Sequence, residues 1–212
     1  FRSKFEQDVI KMRGNKGIGV ISDYEDQPLL ICSHLGRYAL VTVSAIKNEQ
    51  EIVRNVFSRR AIHFSEMREG VINPTELIAA LINEAPTFED GIKNVQESIE
   101  GSCSLLILTD KGVYAARDRL GRTPVALGEK EGSFAATLET CDFPNLGFGI
   151  KKYLGPGEVV FMTEEGIELK TPPRDKLQIC GFLWVYYGYP ASSYENINVE
   201  TVRNRCGAFL AR

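Results

Sequence analysis

The middle of the chain shows the clearest pattern, an alternation of apolar and polar residues that predicts β-strands. Ser104–Thr109 is largely apolar, Asp110–Gly112 has the composition of a tight turn, and Val113–Arg117 alternates. Turns are also predicted at Lys130–Gly132 and Glu164–Gly166. Further strands are predicted at Ile18–Ile21, Leu29–Ser33, Arg37–Ser44, Val125–Leu127 and Ser133–Leu138.

Helical periodicity precedes this strand-rich region. Asn48 with Glu51 reads as a capping box, and Thr87 with Asp90 predicts a second helix start. Helices first, followed by antiparallel strands, indicate the α+β class. The predicted helices are Asn48–Arg59, Thr75–Glu84 and Thr87–Ile99.

A charged corner, Asp118–Pro124, separates two of the predicted strands. Gly121 within it is expected to have a positive φ, which glycine adopts without steric cost. From spacing alone, Arg117, Asp118 and Arg119 are expected to form surface ion pairs, which contribute little to stability.

Composition limits the classes of function. The 212 residues are 43% hydrophobic and 25% charged, which is enough for one sizeable soluble core. A net charge of −3 argues against nucleic acid or a membrane surface as partner, and neither a membrane span nor a signal peptide is expected. The five cysteines are scattered without a CxxC pair, so reduced thiols and a cytoplasmic location are predicted.

Four segments have residue orders that resemble a known family. Gly101–Gly128 contains ARDRLG followed by a proline, and resembles the run YAVRDPLGIRPL of the class II glutamine amidotransferases. Ser133–Cys141 resembles the family's YVVASETC, and Tyr153–Val160 resembles its VEPGEVV. Cys180–Arg212 is similar to the linker that distinguishes amidophosphoribosyltransferases from other members. In this resemblance, the structural residues of the corner motif are Arg117, Asp118 and Gly121.

The resemblance implies a four-layer αββα sandwich, in which two antiparallel sheets face each other and helices cover both outer sides. It also implies a glutaminase, in which an N-terminal cysteine attacks the glutamine side-chain amide with its own α-amino group as base. An asparagine side chain and a glycine N–H hold the oxyanion, while an arginine and an aspartate hold the α-carboxylate and α-ammonium groups. Ammonia then passes to a second domain, which adds it to phosphoribosyl pyrophosphate in purine biosynthesis.

Three further runs, residues 17–24, 40–48 and 71–78, stand at the places of the family's GIGHTRYST, LAHNGNLVN and STSDTEVI, and at four of their positions the sequence lacks the family's functional group. Ser22 stands where the arginine is expected, and it is too short to clamp a carboxylate. Val43 and Ser44 replace the asparagine and glycine of the oxyanion pair. Pro74 replaces the aspartate at a helix start, a position that suits proline. No catalytic residue is therefore assigned, and a degenerate glutaminase site is predicted.

The sequence predicts two regions. Residues 1–170 form an amidotransferase-like domain whose N-terminal part, with the family's cysteine, is expected to lie upstream of Phe1. Residues 171–212 form a linker and the first helix of a second domain, with Pro172 and Pro173 at the boundary because proline interrupts both strand and helix. The resemblance implies that a phosphoribosyltransferase-like domain follows as the partner, and that the protein is a homo-oligomer.

Isolated polar residues offer few alternatives. His34 and His63 have no second ligand at metal-binding spacing and are interpreted as loop or surface residues, and Cys103 as a small buried residue. In some amidophosphoribosyltransferases the cysteine at the place of Cys180 helps bind a [4Fe–4S] cluster; a free thiol is preferred here, with a cluster or Mg²⁺ left as an alternative for the intact protein. Five aromatic residues alternate as in a strand and are expected to pack in a core or between domains: Phe182, Trp184, Tyr186, Tyr187 and Tyr189.

Two functions from different classes are compatible with these observations. The first is an enzyme, an amidophosphoribosyltransferase-like protein whose transferase half uses ammonia from another source. The second is a catalytically inactive amidotransferase fold that regulates, binds a metabolite or acts as a scaffold. A phosphoribosyltransferase signature downstream of Arg212 would favour the first.

Overall fold

The structure is a computed structural model that describes residues 11, 13–22, 25–59, 64, 67–68 and 71–212. Its strands are β1 (Leu29–Ser33), β2 (Gly36–Ile46), β3 (Met67–Arg68), β4 (Val71–Ile72), β5 (Gly101–Leu108), β6 (Val113–Ala116), β7 (Ala126–Lys130), β8 (Ser133–Thr137), β9 (Gly149–Tyr153), β10 (Val159–Met162), β11 (Ile167–Thr171), β12 (Ser193–Tyr194) and β13 (Ile197–Asn198). Its helices are α1 (Glu49–Arg59), α2 (Pro74–Ile82), α3 (Phe88–Ser98), α4 (Asp142–Leu146) and α5 (Val199–Leu210), with a π-helix at Leu183–Tyr187.

Antiparallel pairing dominates the molecule, as the alternating pattern predicts. Six strands form one sheet in the order β1-β2-β5-β6-β10-β11, and three form a second sheet in the order β8-β7-β9. The pairs β3–β4 and β12–β13 are separate hairpins. Every pair is antiparallel, which confirms the α+β class with antiparallel sheets.

One face of the six-stranded sheet is covered by α1, α2 and α3. Leu40, Leu105 and Ile107 of the sheet pack in one cluster with buried apolar residues of all three helices. Helix α2 lies deepest, since seven of its nine residues are buried. The first hydrophobic core therefore lies between the sheet and these helices.

The opposite face of the six-stranded sheet packs against the second sheet. Val113, Val160 and Met162 of the first sheet form a cluster with Leu127 of the second, and Phe134 packs against it. On the outer side of the second sheet, the Phe143 ring of α4 lies where a side chain on Gly128 would stand. Among the described residues the order of layers is therefore helices, sheet, sheet and the short helix α4.

Capping residues mark the helix starts as predicted, but the side chain of Asn48 makes different hydrogen bonds from those of a capping box. Thr87 Oγ1 accepts a hydrogen bond from the Asp90 N–H at 3.1 Å, which confirms the predicted cap of α3. Asn48 precedes α1 as predicted, but its side chain donates to the Ser98 carbonyl and accepts from the Glu100 N–H, both at 2.9 Å. The Asn48 amide therefore joins the start of α1 to the connection between α3 and β5.

Two predicted strands are absent. Ile18–Ile21 has no strand pairing in the structure. The alternating aromatic segment is not a strand either, because Leu183–Tyr187 is a π-helix. There the Gly188 N–H donates to the Leu183 carbonyl at 2.9 Å, so the backbone bonds are satisfied locally.

Candidate functional site

Arg117 and Asp118, at the start of the charged corner, are buried, whereas Arg119 is half-buried, which corrects the expectation of surface ion pairs. Arg117 is fully buried and Asp118 is 2% exposed. The Asp118 carboxylate accepts hydrogen bonds from the Leu120 N–H at 3.1 Å and the Thr123 N–H at 3.0 Å. It therefore fixes the path of the corner loop, residues 118–124, in the way that an Asx turn does.

Arg117 lies inside this corner loop. Its guanidinium donates to the Gly121 carbonyl at 2.7 Å and to the Leu154 carbonyl. Gly121 has the predicted positive φ, 69°, and a Cβ there would lie 2.7 Å from the Leu177 side chain and 3.2 Å from Arg117 Nε. Glycine is therefore required at this position for both conformation and space.

Val43 and Ser44, the predicted oxyanion positions, lie on β2 next to this corner. Val43 is paired with Ser104 and Ser44 with Cys103 of the neighbouring strand β5. Ser104 Oγ accepts from the Asp118 N–H at 3.2 Å, so the corner and Val43 are separated by one side chain. The Val43 side chain is 40% exposed, and it has no group that donates a hydrogen bond.

Pro74 is the first residue of α2, as predicted for a proline in a first helical turn. The preceding Asn73 caps the helix, with Oδ1 accepting from the Thr75 N–H at 2.8 Å. Thr75 Oγ1 lies 2.7 Å from Thr42 Oγ1, and both threonines are buried. Because Thr42 directly precedes Val43, this hydroxyl pair connects the start of α2 to the oxyanion positions.

A segment that the sequence analysis did not single out crosses this region. We call it the strap, Glu25–Gln27. Glu25 Oε2 accepts from the Thr75 N–H at 3.0 Å and from Thr75 Oγ1 at 2.9 Å. A carboxylate at the N-terminus of a helix is also favoured by the helix dipole, by about 0.3–1 kcal/mol.

The other two residues of the strap are held as firmly. The Asp26 carbonyl accepts from Asn73 Nδ2 at 3.1 Å. The Gln27 amide accepts from the Thr42 N–H at 2.7 Å and donates to the Thr42 carbonyl at 3.2 Å. β1 begins two residues later, with Leu29 opposite Leu40. The Gln27 side chain therefore continues the pairing with β2 on the N-terminal side of β1.

The strap also brings in the fourth predicted position. Ser22 is exposed, and its hydroxyl accepts from the Glu25 N–H at 3.3 Å. The strap and the Thr42–Thr75 pair therefore link the four predicted positions to one region: Ser22, Val43, Ser44 and Pro74. Sequence reasoning missed Glu25 and Gln27 because polar residues outside any periodic segment give no signal of their partners.

Cys103 lies opposite Ser44 in the pairing of β2 and β5, and its thiol is buried. It is 4% exposed, as the sequence predicts. Burial raises the pKa of the Cys103 thiol well above its ordinary value, and the charges of Asp118 and Glu25 raise it further. Since the thiolate is the reactive form, this environment disfavours a nucleophilic role for Cys103.

Among the residues that the structure describes, no group of three or more His, Cys, Asp or Glu side chains is placed to hold a metal ion. Cys180 is half-buried and contacts the Tyr187 hydroxyl; burial first, and then this contact, raise the pKa of Tyr187 to about 12. A [4Fe–4S] cluster needs four ligands, so Cys180 would bind one only together with cysteines outside residues 1–212. His34 is exposed and its Nε2 lies 2.8 Å from the Ala85 carbonyl, whereas His63 lies outside the described residues.

Comparison with known proteins decides the family. The family model for a glutamine amidotransferase domain matches residues 16–141, more than half of the chain. The chain belongs to this glutamine amidotransferase family. The match includes the strap, the oxyanion positions, the start of α2 and the charged corner.

Individual relatives of this amidotransferase domain are amidophosphoribosyltransferases. The enzyme of Staphylococcus epidermidis is 31% identical over 203 residues, which cover 94% of this chain and 39% of the relative. The mouse enzyme is 28% identical over 254 residues, covering 96% of this chain and 49% of the relative. The chain thus spans less than half the length of these relatives.

Solved structures agree with the sequence comparison. Glutamine phosphoribosylpyrophosphate amidotransferase from B. subtilis, complexed with ADP and GMP, matches with a TM-score of 0.78 and 26% identity, over 88% of this chain and 41% of that chain. The structure of an allosteric regulatory enzyme of purine biosynthesis matches with a TM-score of 0.76 and 27% identity, over 87% and 39%. Within the described part of the chain, no helix has the length and apolar composition needed to cross a bilayer.

Proposed function

We propose that this chain is the amidotransferase domain of an amidophosphoribosyltransferase-like protein of purine nucleotide biosynthesis, and that the domain does not hydrolyse glutamine. The strap supports the second part of the proposal. Its Glu25 carboxylate bonds to the N–H and hydroxyl of Thr75, next to Pro74. The family's aspartate would present a carboxylate to a substrate ammonium group at Pro74, but here the polar groups of the helix start already bind the chain itself.

The charges around the strap also disfavour glutamine. An α-carboxylate needs a cation, and Ser22 stands at the position of the family's arginine. The carboxylate nearest the start of α2 is Glu25, which bonds to Thr75 and adds negative charge there. A substrate carboxylate would be repelled rather than clamped.

Transition-state stabilisation would be weak at the oxyanion positions. Removing one donor from an oxyanion hole raises the barrier by about 3–4 kcal/mol, which corresponds to a factor of ~10²–10³ in rate. Val43 has no side-chain donor at the asparagine position, and Ser44 changes the glycine position as well. Hydrolysis by the amidotransferase mechanism is therefore slowed even where a nucleophile is supplied.

The finer architecture belongs to the same proposal. The domain is a four-layer αββα sandwich over residues 1–170, in which α4 is part of the fourth layer. Residues 171–212 lead to a phosphoribosyltransferase-like domain that packs on the exposed aromatic turn, residues 182–189, where Phe182 is 62% and Tyr186 77% exposed. The protein is cytoplasmic and forms a homo-oligomer.

Glutamine hydrolysis by the intact protein tests the degenerate site. We expect no ammonia release above background and no rise in melting temperature with glutamine, because a ligand that binds only the native state must stabilise it. Glutamine-dependent ammonia release that a thiol alkylator abolishes would contradict the proposal.

Phosphoribosylamine formation tests the transferase half. With phosphoribosyl pyrophosphate as acceptor, turnover is expected with ammonium salts and not with glutamine. A folded intact protein that is inactive with both donors would instead favour the second candidate, a regulatory or scaffold domain. The strap is compatible with both candidates, since it binds the polar groups of the α2 start with residues of the chain itself.

A further inference from the structure

A buried ion pair joins the charged corner to the C-terminal segment. Arg117 is fully buried, and its partners from the body of the domain are two neutral carbonyls. The Asp118 carboxylate is engaged by backbone N–H groups of the corner loop. The counter-ion of Arg117 is Glu195, whose Oε1 lies 2.7 Å from the guanidinium.

We propose that the Arg117–Glu195 pair is a latch that holds the hairpin β12–β13, and through it α5 and the aromatic turn, in one position on the domain. A buried guanidinium without a counter-ion is strongly destabilising. The buried guanidinium of Arg117 is therefore the preferred binding place for Glu195 of this hairpin. The inference does not depend on whether the domain hydrolyses glutamine.

The hairpin turn carries strain that the latch offsets. Glu195 and Asn196 both have positive φ values, 49° and 64°, a conformation that residues other than glycine adopt at a cost. Neighbouring bonds fix the hairpin from the other side, where Tyr153 Oη donates to the Ser193 carbonyl at 3.0 Å and Tyr194 Oη donates to Glu139 at 2.7 Å. These contacts position Glu195 at the mouth of the corner.

The latch is also incompletely satisfied. Neither Arg117 Nε nor Glu195 Oε1 has a hydrogen-bond partner of proper geometry, so the contact is an ion pair without hydrogen-bond alignment. An ion pair whose polar atoms are only partly satisfied contributes less than a complete network. The contact is therefore suited to opening before the sheets unfold.

The hairpin is connected rigidly to α5 and the aromatic turn. Asn198 caps α5, accepting from the Thr201 N–H at 3.0 Å, and its amide donates to the Ser192 carbonyl at 3.2 Å. Arg203 of α5 donates to the carbonyls of Trp184, Tyr186 and Gly188 at 2.8–2.9 Å. Release of Glu195 should therefore loosen the whole segment from the aromatic turn to α5.

Hydrogen exchange of the intact protein, measured by mass spectrometry, tests the latch in three variants. Glu195→Gln leaves the buried guanidinium without a counter-ion. Arg117→Met combined with Glu195→Gln removes the pair without leaving a buried charge, so this variant is expected to fold even where the single one does not. Glu165→Gln removes the same charge from an exposed turn and serves as control.

In Glu195→Gln, amide exchange of residues 182–210 should rise at least about tenfold, with a smaller rise in the double variant and none in the control. In the double variant, exchange in β5 and β6 should rise less than that of residues 182–210, although the Gly121 and Leu154 carbonyls also lose the Arg117 donor there. Unchanged protection of residues 182–210 in both Glu195 variants would overturn the latch. Equal loosening of β5 and β6 in the double variant would also overturn it, because the pair would then stabilise the whole domain.

Discussion

At the scale of single residues, the corner motif is a device for burying charge. Arg117 and Asp118 are adjacent in sequence, yet each is satisfied by different groups, backbone carbonyls and Glu195 for the cation and backbone N–H groups for the anion. These partners lower the cost of burying the two charges, although Arg117 Nε has no hydrogen-bond partner. The motif is therefore structural in this chain, and its charges are not available to a substrate.

Replacing Asp118 by Asn tests this role. An amide cannot accept from both the Leu120 and Thr123 N–H groups without presenting a donor to one of them, so the free energy of unfolding should fall by about 1.5–3 kcal/mol. Urea denaturation measures the change. Asp110→Asn, in the exposed turn between β5 and β6, should change the free energy by less than about 0.5 kcal/mol. Equal effects of the two substitutions would argue against the role of the corner carboxylate.

The buried thiol predicts how stability depends on pH. Burial raises the pKa of Cys103 above its ordinary value of 9.0, so the folded state keeps a proton that the unfolded state loses. The stabilising contribution is fully present below pH 9.0 and is lost as the pH rises above it. The free energy of unfolding should therefore fall from about pH 8 to about pH 10.5 more steeply in the wild type than in Cys103→Ala.

Urea unfolding at the two pH values gives both slopes. Cys32→Ala is the matched control, because Cys32 is exposed. It should keep the wild-type slope. A Cys103→Ala slope equal to that of the wild type would contradict the assigned proton.

At the scale of elements, the C-terminal segment is organised by one side chain. Arg203 of α5 bonds to three carbonyls of the aromatic turn, which are the groups that a helix end leaves without partners. The exposed rings of this turn are thus held on a fixed backbone, although they pack little against the domain. A surface that is fixed before it meets a partner loses less conformational entropy on binding.

Arg203→Met should release the aromatic turn, and the chain carries its own reporter. Trp184 is the single tryptophan of the sequence, and its indole N–H donates to the Ile197 carbonyl at 2.9 Å. Loss of the Arg203 bonds should shift tryptophan emission to the red and increase quenching by acrylamide. Arg205→Met removes an exposed arginine of the same helix and should leave both quantities unchanged. Identical spectra for the two variants would exclude the proposed role of Arg203.

Some elements of the fold follow directly from patterns in the sequence, and others do not. Alternation predicts β2 and β5 closely because they consist of runs of apolar and β-branched residues, and the Thr87 cap predicts the start of α3. The aromatic turn was wrongly predicted as a strand, since alternate aromatic residues are equally compatible with a helix whose rings face outwards. The strap could not be predicted at all, because its partners Thr75 and Thr42 lie far away in sequence and carry no periodicity that points to it.

At the scale of the whole molecule, two buried hydrophobic cores contrast with an exposed aromatic surface on the C-terminal segment. The helix–sheet and sheet–sheet clusters are buried, whereas Phe182, Tyr186 and Tyr189 are each more than 60% exposed. Several exposed aromatic rings in one short segment are typical of a surface that another domain or subunit covers. The molecule therefore has one face whose chemistry differs from the rest of its surface.

Self-association of the 212-residue chain tests this property. We expect a concentration-dependent increase in sedimentation coefficient, because the rings lose contact with water when two copies meet. The double variant Phe182→Ser, Tyr186→Ser should remain monomeric to higher concentration. Leu30→Ser, at a residue that is 81% exposed on β1, should behave like the wild type. Equal association of the two variants would place the contact elsewhere.

The strap also has a consequence in terms of competition. Glu25 is a carboxylate tethered beside the groups that it binds, so its effective concentration there is of millimolar order or higher. A dissolved carboxylate must compete with Glu25, which cannot diffuse away. The apparent affinity of the dissolved carboxylate therefore falls in proportion to the effective concentration of Glu25. Amino acids added at micromolar concentration should therefore leave the start of α2 occupied by Glu25. The substitution Glu25→Ala should lower the concentration at which a dissolved carboxylate binds at the start of α2.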